Sequence, residues 1–168
     1  MVYDVSIIGS GPAGLSAAIY AKRANLSAIV IEKEYEGTGQ MAESSRIDNY
    51  PGFYGINGYE LGEKIREHAE ALGIKFLEAE VTGIQKTEES FDITLESGEV
   101  QSSKTVIYTA GAAHRKLAVP GSEKFENRGI SYCASCDGAF YHGKDVAVIG
   151  GGNSALDDAL SLIHISEP

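Results

Sequence analysis

Cys133 and Cys136 are separated by two residues and followed at once by Asp137. That spacing places two thiols close enough to bridge, in a short turn that can open a helix. A thiolate at a helix start is favoured by the N-terminal dipole, which lowers its pKa and makes thiol–disulfide exchange feasible near neutral pH. A carboxyl beside such a pair can carry the proton that dithiol chemistry gains and loses. Two other readings remain open. Zinc needs two further ligands, to be drawn from His68, His114, His142 and His164, none of which has H-x-x-x-H spacing. The pair could also be buried thiols that pack as small hydrophobes.

Two glycine-rich loops point to dinucleotides. Gly9-Ser10-Gly11-Pro12-Ala13-Gly14 fits G-x-G-x-x-G between a predicted strand and a predicted helix. Glu32 follows at about the distance expected of an acid that accepts hydrogen bonds from ribose hydroxyls. In this reading Gly9 permits the tight turn, Gly11 lets the backbone approach a pyrophosphate, and Gly14 lets the helix pack on the strand; the amides of the helix N-terminus favour the negative charge. Gly150-Gly151-Gly152-Asn153-Ser154-Ala155 fits G-x-G-x-x-A, and its acid would lie beyond residue 168. A plain glycine turn without a ligand is the competing reading for each loop, more so for the second. Two such loops suggest an enzyme that holds one dinucleotide and exchanges another, as where a nicotinamide reduces a flavin.

The elements that must position these groups follow from periodicity. Residues 3–8 read as a buried parallel strand, and Pro12 as a first-turn helix residue. Ala13, Ala17, Ala18, Ala21 and Ala24 form a small-residue stripe, and residues 28–31 form a second strand ending at Glu32, so the segment is one βαβ unit. Residues 33–57 make a long loop punctuated by glycine. Leu61, Ile65, Ala69 and Leu72 share a helix face that Gly73 terminates. Short strands over 81–84, over 91–95 and near Val100 look like an antiparallel meander, and 105–109 is a further buried strand ending at Ala110-Gly111. Residues 112–121 read as a linker, and 145–149 as the strand that opens a second strand, loop and helix unit.

Composition narrows the classes. The chain has 168 residues, 43% of them hydrophobic and 23% charged, which suits a globular protein rather than a disordered one. Its 14 Lys and Arg against 24 Asp and Glu leave a net charge of −10, with no basic cluster to follow phosphates, so nucleic acid is a poor partner. Without a signal-peptide pattern or a bilayer-length apolar run, the chain is predicted to be cytoplasmic and to have no membrane partner. Two cysteines are too few for a disulfide scaffold.

In this order of motifs the chain resembles the low-molecular-weight thioredoxin reductases, class II members of the pyridine nucleotide-disulfide oxidoreductases, over residues 1 to about 160. The most specific likeness is Cys133-Ala134-Ser135-Cys136-Asp137-Gly138 with Val148-Ile149-Gly150-Gly151-Gly152-Asn153 close behind; Asp48-Asn49-Tyr50-Pro51-Gly52 and Gly39-Gln40 resemble segments that line the flavin. The resemblance implies an α/β fold: a Rossmann-like, three-layer FAD-binding domain with a small antiparallel meander, plus the start of a Rossmann-like nicotinamide-binding domain. It implies FAD and NADPH as cofactors and thioredoxin, or a thioredoxin-like disulfide protein, as partner. Cys136 would face the flavin, Cys133 would attack the partner disulfide, and Asp137 would be acid and base. Gly39, Gln40, Asn49 and the backbone near Val81 and Gly111 would hold FAD. Gly150, Gly152, Asn153, Ser154 and Ala155 would hold NADPH.

The family further implies a homodimer at full length and a nicotinamide domain that swings about two linkers, the first near residues 112–121. Boundaries are expected at 1–113 for an FAD domain lacking its C-terminal part and at 114–160 for a partial nicotinamide domain. Residues 161–168 resemble a translated sequencing adapter, against a native helix continuing from Asn153; Ile163 and Ile165 suit a helix poorly. A fragment ending there would expose apolar surface after about residue 115, be poorly ordered in that part, and turn over little. Thr38 stands where a glycine often precedes Gly39-Gln40, and Tyr108-Thr109-Ala110-Gly111 replaces the commoner Ala-Thr-Gly turn. Ferredoxin as electron donor, or a peroxiredoxin as the partner, is the alternative within the same chemistry.

Overall fold

The computed structural model describes residues 2–34, 39–113, 115–126 and 128–166. Thr38 and His114, named above, and residues 167–168 at the end of the expected adapter-like tail lie outside the described residues. The chain divides into two compact units, Met1–Ala112 and Ala113–Pro168.

In the first unit β1 (Tyr3–Ile8), α1 (Pro12–Arg23) and β2 (Ala28–Glu32) form the expected parallel crossover. Val5 and Ile7 of β1 point to one face and pack with Leu15, Ala18 and Val30, while Ile8 joins Ile31, Ile93 and Leu95 on the other. This is the alternation a pleated strand imposes when both faces are covered. The buried stripe of α1 is Gly14, Leu15, Ala18, Ile19 and Ala21; Ala13 and Ala24 of the expected stripe are exposed. The helix α2 (Gly58–Ala71) begins at Asn57, whose Oδ1 accepts from the Glu60 amide at 2.8 Å, and ends before Gly73, which takes a φ of +77°.

One mixed sheet of six strands runs in the order β3 (Lys75–Glu78), β2, β1, β6 (Val100–Tyr108), β5 (Phe91–Leu95) and β4 (Val81–Lys86). The meander is β4 (Val81–Lys86), β5 (Phe91–Leu95) and β6 (Val100–Tyr108). The expected short strand near Val100 and the strand over 105–109 are a single nine-residue strand. Its first half pairs antiparallel with β5, Ser103 opposite Phe91, and its second half pairs parallel with β1, Thr105 opposite Val5. Polar Ser102, Ser103 and Lys104 hid this continuity in the sequence; in the fold, buried Ser103 donates to the Thr105 carbonyl and Lys104 pairs with Asp4. The edge strand β3 (Lys75–Glu78) was not foreseen, because only four residues with both ends exposed carry too little pattern.

The second unit holds the one-turn helix α3 (Ala134–Asp137), a 3-10 turn (Gly138–Tyr141) and α4 (Asn153–Ser166). Residues 145–149, expected as a strand, form none: no described segment of this unit pairs with them, and an apolar run without a neighbour has no ladder. Helix α4 runs through Ile163 and on to Ser166, contrary to the poor helix expected there. The propensity penalty of a β-branched residue is only several tenths of a kcal/mol, and Ala155, Leu156, Ala159, Leu160 and Leu162 favour the helix. Among the described residues no helix is long and apolar enough to cross a membrane.

Candidate nucleotide cleft and disulfide site

The first glycine loop is held by backbone contacts that tolerate no side chain. Gly9 has a φ of +103°, and a Cβ there would strike the Thr109 carbonyl oxygen; a Cβ on Gly14 would strike the Gly9 carbonyl oxygen. The Gly9 amide donates to the Ile31 carbonyl at 2.8 Å, and Thr109 Oγ1 donates to the Ile8 carbonyl at 2.8 Å and lies 3.1 Å from that of Gly9. The loop therefore sits where the ends of β1, β2 and β6 converge, the place where open parallel sheets bind ligands. Gly11 is the N-cap of α1 and offers no side-chain cap, and Pro12 opens the helix. The first-turn amides thus have no side-chain acceptor at the cap, which suits an anion.

Glu32 turns back onto this loop. Its Oε2 accepts from the Ser10 amide at 2.7 Å and the Ser10 hydroxyl at 3.0 Å, and its Oε1 from the Lys33 amide at 2.7 Å. Gly9, Gly11, Pro12, Ala13 and Glu32 then share one cleft of about 640 Å³ with Gly39, Gln40, Val81 and Gly111. That volume lies within the range of ordinary ligand sites. Gly39 comes so near the loop that a Cβ on it would lie 3.3 Å from Gly11 Cα, and Gln40 Nε2 donates to the Ala112 carbonyl. Across the mouth Lys33 Nζ pairs with Glu80 at 2.9 Å; that carboxylate holds the lysine pKa above its usual value. An acid able to accept from hydroxyls, a glycine floor that a Cβ would fill and an uncapped helix start together fit the ribose and pyrophosphate of a dinucleotide such as FAD.

In the second unit Cys133 and Cys136 form a disulfide with Cα atoms 5.3 Å apart. Cys133 is the N-cap of α3, which has only four residues. Few peptide dipoles are aligned in a single turn, so the thiolate support expected from a helix start is small here. Asp137 is fixed more firmly: its amide donates to the Cys133 carbonyl at 3.1 Å and its Oδ2 accepts from Ser131 Oγ at 2.6 Å. The second glycine loop shares one constraint with the first. Gly150 has a φ of +143°, and a Cβ on it would lie 3.1 Å from that of Ala155, so a small residue is needed at the sixth position. The Ala155 and Leu156 amides both donate to the Gly152 carbonyl as α4 begins.

A strand-end cleft with two glycine signatures flanking a Cys-x-x-Cys disulfide is matched by one family across the chain: that described as pyridine nucleotide-disulphide oxidoreductase covers residues 3–167. The chain belongs to that family. Within it, the thioredoxin reductase of Bacillus subtilis is 43% identical over 165 residues, which is 98% of this chain and 52% of the relative. The thioredoxin reductase of Treponema pallidum is 45% identical, over 98% of this chain and 53% of its own length. The crystal structure of thioredoxin reductase from Streptococcus pyogenes is similar with a TM-score of 0.87 at 44% identity, over 97% of this chain and 53% of that one. The chain spans about half the length of the curated relatives it matches.

Within this family frame the structure brings the residues anticipated for FAD to one cleft, with two exceptions, while Gly150, Gly152, Asn153, Ser154 and Ala155 lie in the second unit. Gly14 lies buried beneath the loop as a packing residue. Asn49 lines a separate shallow concavity with Asp48, Tyr50, Pro51, Gly52 and Tyr54, where Arg46 pairs with Asp48 at 2.9 Å. Lys33, Met41, Glu80, Tyr108 and Thr109 line the cleft and were not anticipated as site residues. Thr109 was discoverable as the end of a predicted buried strand, and Lys33 as the neighbour of Glu32; Glu80 carried no signal, because it lies in the short connection between β3, which was missed, and β4. Among the described residues no three His, Cys, Asp or Glu side chains group as a metal site. In disulfide form the cysteines also lack the thiolates zinc would need.

Proposed function

We propose that this chain is the flavin-binding and disulfide-bearing portion of an NADPH-dependent thioredoxin-disulfide reductase. The observation that carries the reading is the Cys133–Cys136 disulfide, set on the helical turn that packs against α4, the helix opened by the second glycine loop. A nucleotide loop and a redox pair built on adjoining elements suit an enzyme that brings a nicotinamide and a disulfide to a common electron carrier. FAD, when bound, supplies that carrier, taking two electrons at a time from NADPH and passing them to the disulfide.

The chain's own residues would bind and orient. Gly9, Gly11 and the start of α1 accept the pyrophosphate, and Glu32 exchanges its bonds to Ser10 for bonds from ribose hydroxyls. Gly39, Gln40, Val81 and Gly111 supply close-approaching backbone and one amide side chain. Gly150, Gly152, Asn153, Ser154 and Ala155 would receive the second dinucleotide. Cys136, the more exposed of the pair, would receive electrons from the flavin side, Cys133 would attack the thioredoxin disulfide, and Asp137 would move the proton. Residues 1–113 correspond in this reading to the flavin domain and 114–160 to part of the nicotinamide domain, in a cytoplasmic protein that is a homodimer at full length.

The test is Cys136→Ser in the complete protein. Thioredoxin reduction should fall by at least about 10³-fold, because the covalent route is removed, while the flavin spectrum and stoichiometry stay unchanged. Retained thioredoxin reduction, or a colourless wild-type protein, would remove the reading.

A further inference from the structure

Asp137 is held by a residue that lies outside the Cys-x-x-Cys-Asp signature. Ser131 Oγ donates to Asp137 Oδ2 at 2.6 Å and accepts from the Cys133 amide at 3.1 Å. The same oxygen lies 3.3 Å from the Cys133 carbonyl, which also accepts the Asp137 amide at 3.1 Å. Backbone and side chain of Asp137 are thus both returned to Cys133. Ser131 and Asp137 are half-buried, whereas Ser135 and Cys136 are exposed. An untethered aspartate on a one-turn helix would divide its time among staggered rotamers. A short hydrogen bond from a hydroxyl to a carboxylate selects one of them.

We propose that Ser131 is a positioning residue which fixes the Asp137 carboxyl beside the Cys133 half of the disulfide, so that proton transfer during opening and closing of that bond runs through a preset geometry. The proposal rests on the disulfide-reductase reading for its physiological setting and deepens it by adding a residue to the proton path. Opening the bond takes two electrons and two protons: one S–S bond breaks and two S–H bonds form. With dithiothreitol as reductant, its two thiols lose both electrons and both protons and close to the cyclic disulfide. At each exchange step the Asp137 carboxylate would take the proton of the attacking thiol and pass it to the departing sulfur, ending as it began.

The complete protein carrying Ser131→Thr or Ser131→Val provides the test, because threonine and valine have nearly the same shape and only threonine keeps the hydroxyl. The rate at which dithiothreitol opens the Cys133–Cys136 bond is followed by alkylation of the freed thiols and mass measurement, a readout that needs neither flavin nor nicotinamide turnover. Ser131→Thr should stay within about twofold of wild type and Ser131→Val should be slowed about tenfold, a fraction of what a misplaced acid or base costs. In an Asp137→Ala background the same Ser131→Val change should cost less than about twofold, because residues that act as a unit are not additive. Ser131→Ala repeats the comparison should valine not fit. Equal rates for threonine and valine would overturn the proposal, as would an equal loss with and without Asp137, which would mark Ser131 as a support for the turn alone. A wild-type protein that fails to reduce thioredoxin would instead remove the functional reading and leave the exchange result standing.

Discussion

Asp4 shows how one side chain ties distant segments together before any ligand is considered. Its Oδ1 accepts from Lys104 Nζ at 2.7 Å, and its Oδ2 accepts from the Ser27 amide at 2.8 Å and the Ser27 hydroxyl at 2.7 Å. These bonds join the starts of β1 and β2 to β6. The Lys104 hydrogen bond, followed by those from Ser27, holds the Asp4 carboxyl far below its usual pKa of 3.8. A carboxyl depressed in the folded state stabilises the fold above its unfolded pKa, and that contribution is lost as the pH falls from 3.8 toward the folded value. Urea midpoints measured from neutral pH down to about pH 2 should therefore decline less steeply for Asp4→Asn than for wild type, the two curves converging in acid. Parallel curves would show that Asp4 is not the group responsible. Neither Lys104 nor Ser27 was singled out in the sequence, whereas the glycines, Glu32 and the cysteine pair were, because their types and spacing are themselves the signal.

At the scale of elements, the β1-loop-α1 turn sets what the cleft can be. Gly14 is helical, so propensity alone says that alanine should stabilise α1 by about 1 kcal/mol. Packing says the reverse, because the new Cβ would meet the Gly9 carbonyl oxygen, a backbone atom that cannot swing aside. Gly14→Ala should lower stability by about 2 kcal/mol or more in urea unfolding and weaken dinucleotide binding with it, since Gly9 and α1 would have to part. A gain in stability would mean that the loop is looser than its contacts imply. The boundaries of β1, α1 and β2 were legible because buried runs alternate with glycine and proline punctuation. The nine-residue β6 was not: Ser102, Ser103 and Lys104 read as an interruption, and only pairing with β1 on one side and β5 on the other carries the strand through them.

For the whole molecule, the two units differ in how completely they bury their apolar residues. The first has two buried clusters on opposite faces of its sheet. The second leaves Ile149, Leu156, Leu160 and Ile163 at least half exposed, with Val146 and Val148 only slightly less so. Scattered apolar residues on a surface are ordinary, but Val146, Val148 and Ile149 close together in sequence, with Leu156, Leu160 and Ile163 exposed on α4, leave much apolar surface uncovered. The 168-residue chain should therefore bind anilinonaphthalene sulfonate while its near-ultraviolet dichroism remains native-like, and replacing Ile149, Leu156 and Leu160 together by serine should abolish most of the dye signal. Dye binding unchanged by the triple replacement would place the exposed apolar surface elsewhere.

The amino-acid sequence by itself determined the two glycine loops, the spacing of the cysteine pair and its aspartate, the first crossover, the family and the α/β class, because each rests on local spacing or on strict periodicity. Tertiary structure alone decided that Glu32 closes on Ser10, that Lys33 meets Glu80 across the cleft mouth, that Asn49 lies outside that cleft, and that Ser131 holds Asp137. Residues 145–149 belong with these: their composition is that of a strand, yet a strand exists only where a neighbour completes its hydrogen bonds. Such contacts depend on where the chain returns, and a linear pattern carries no record of which segment arrives beside another.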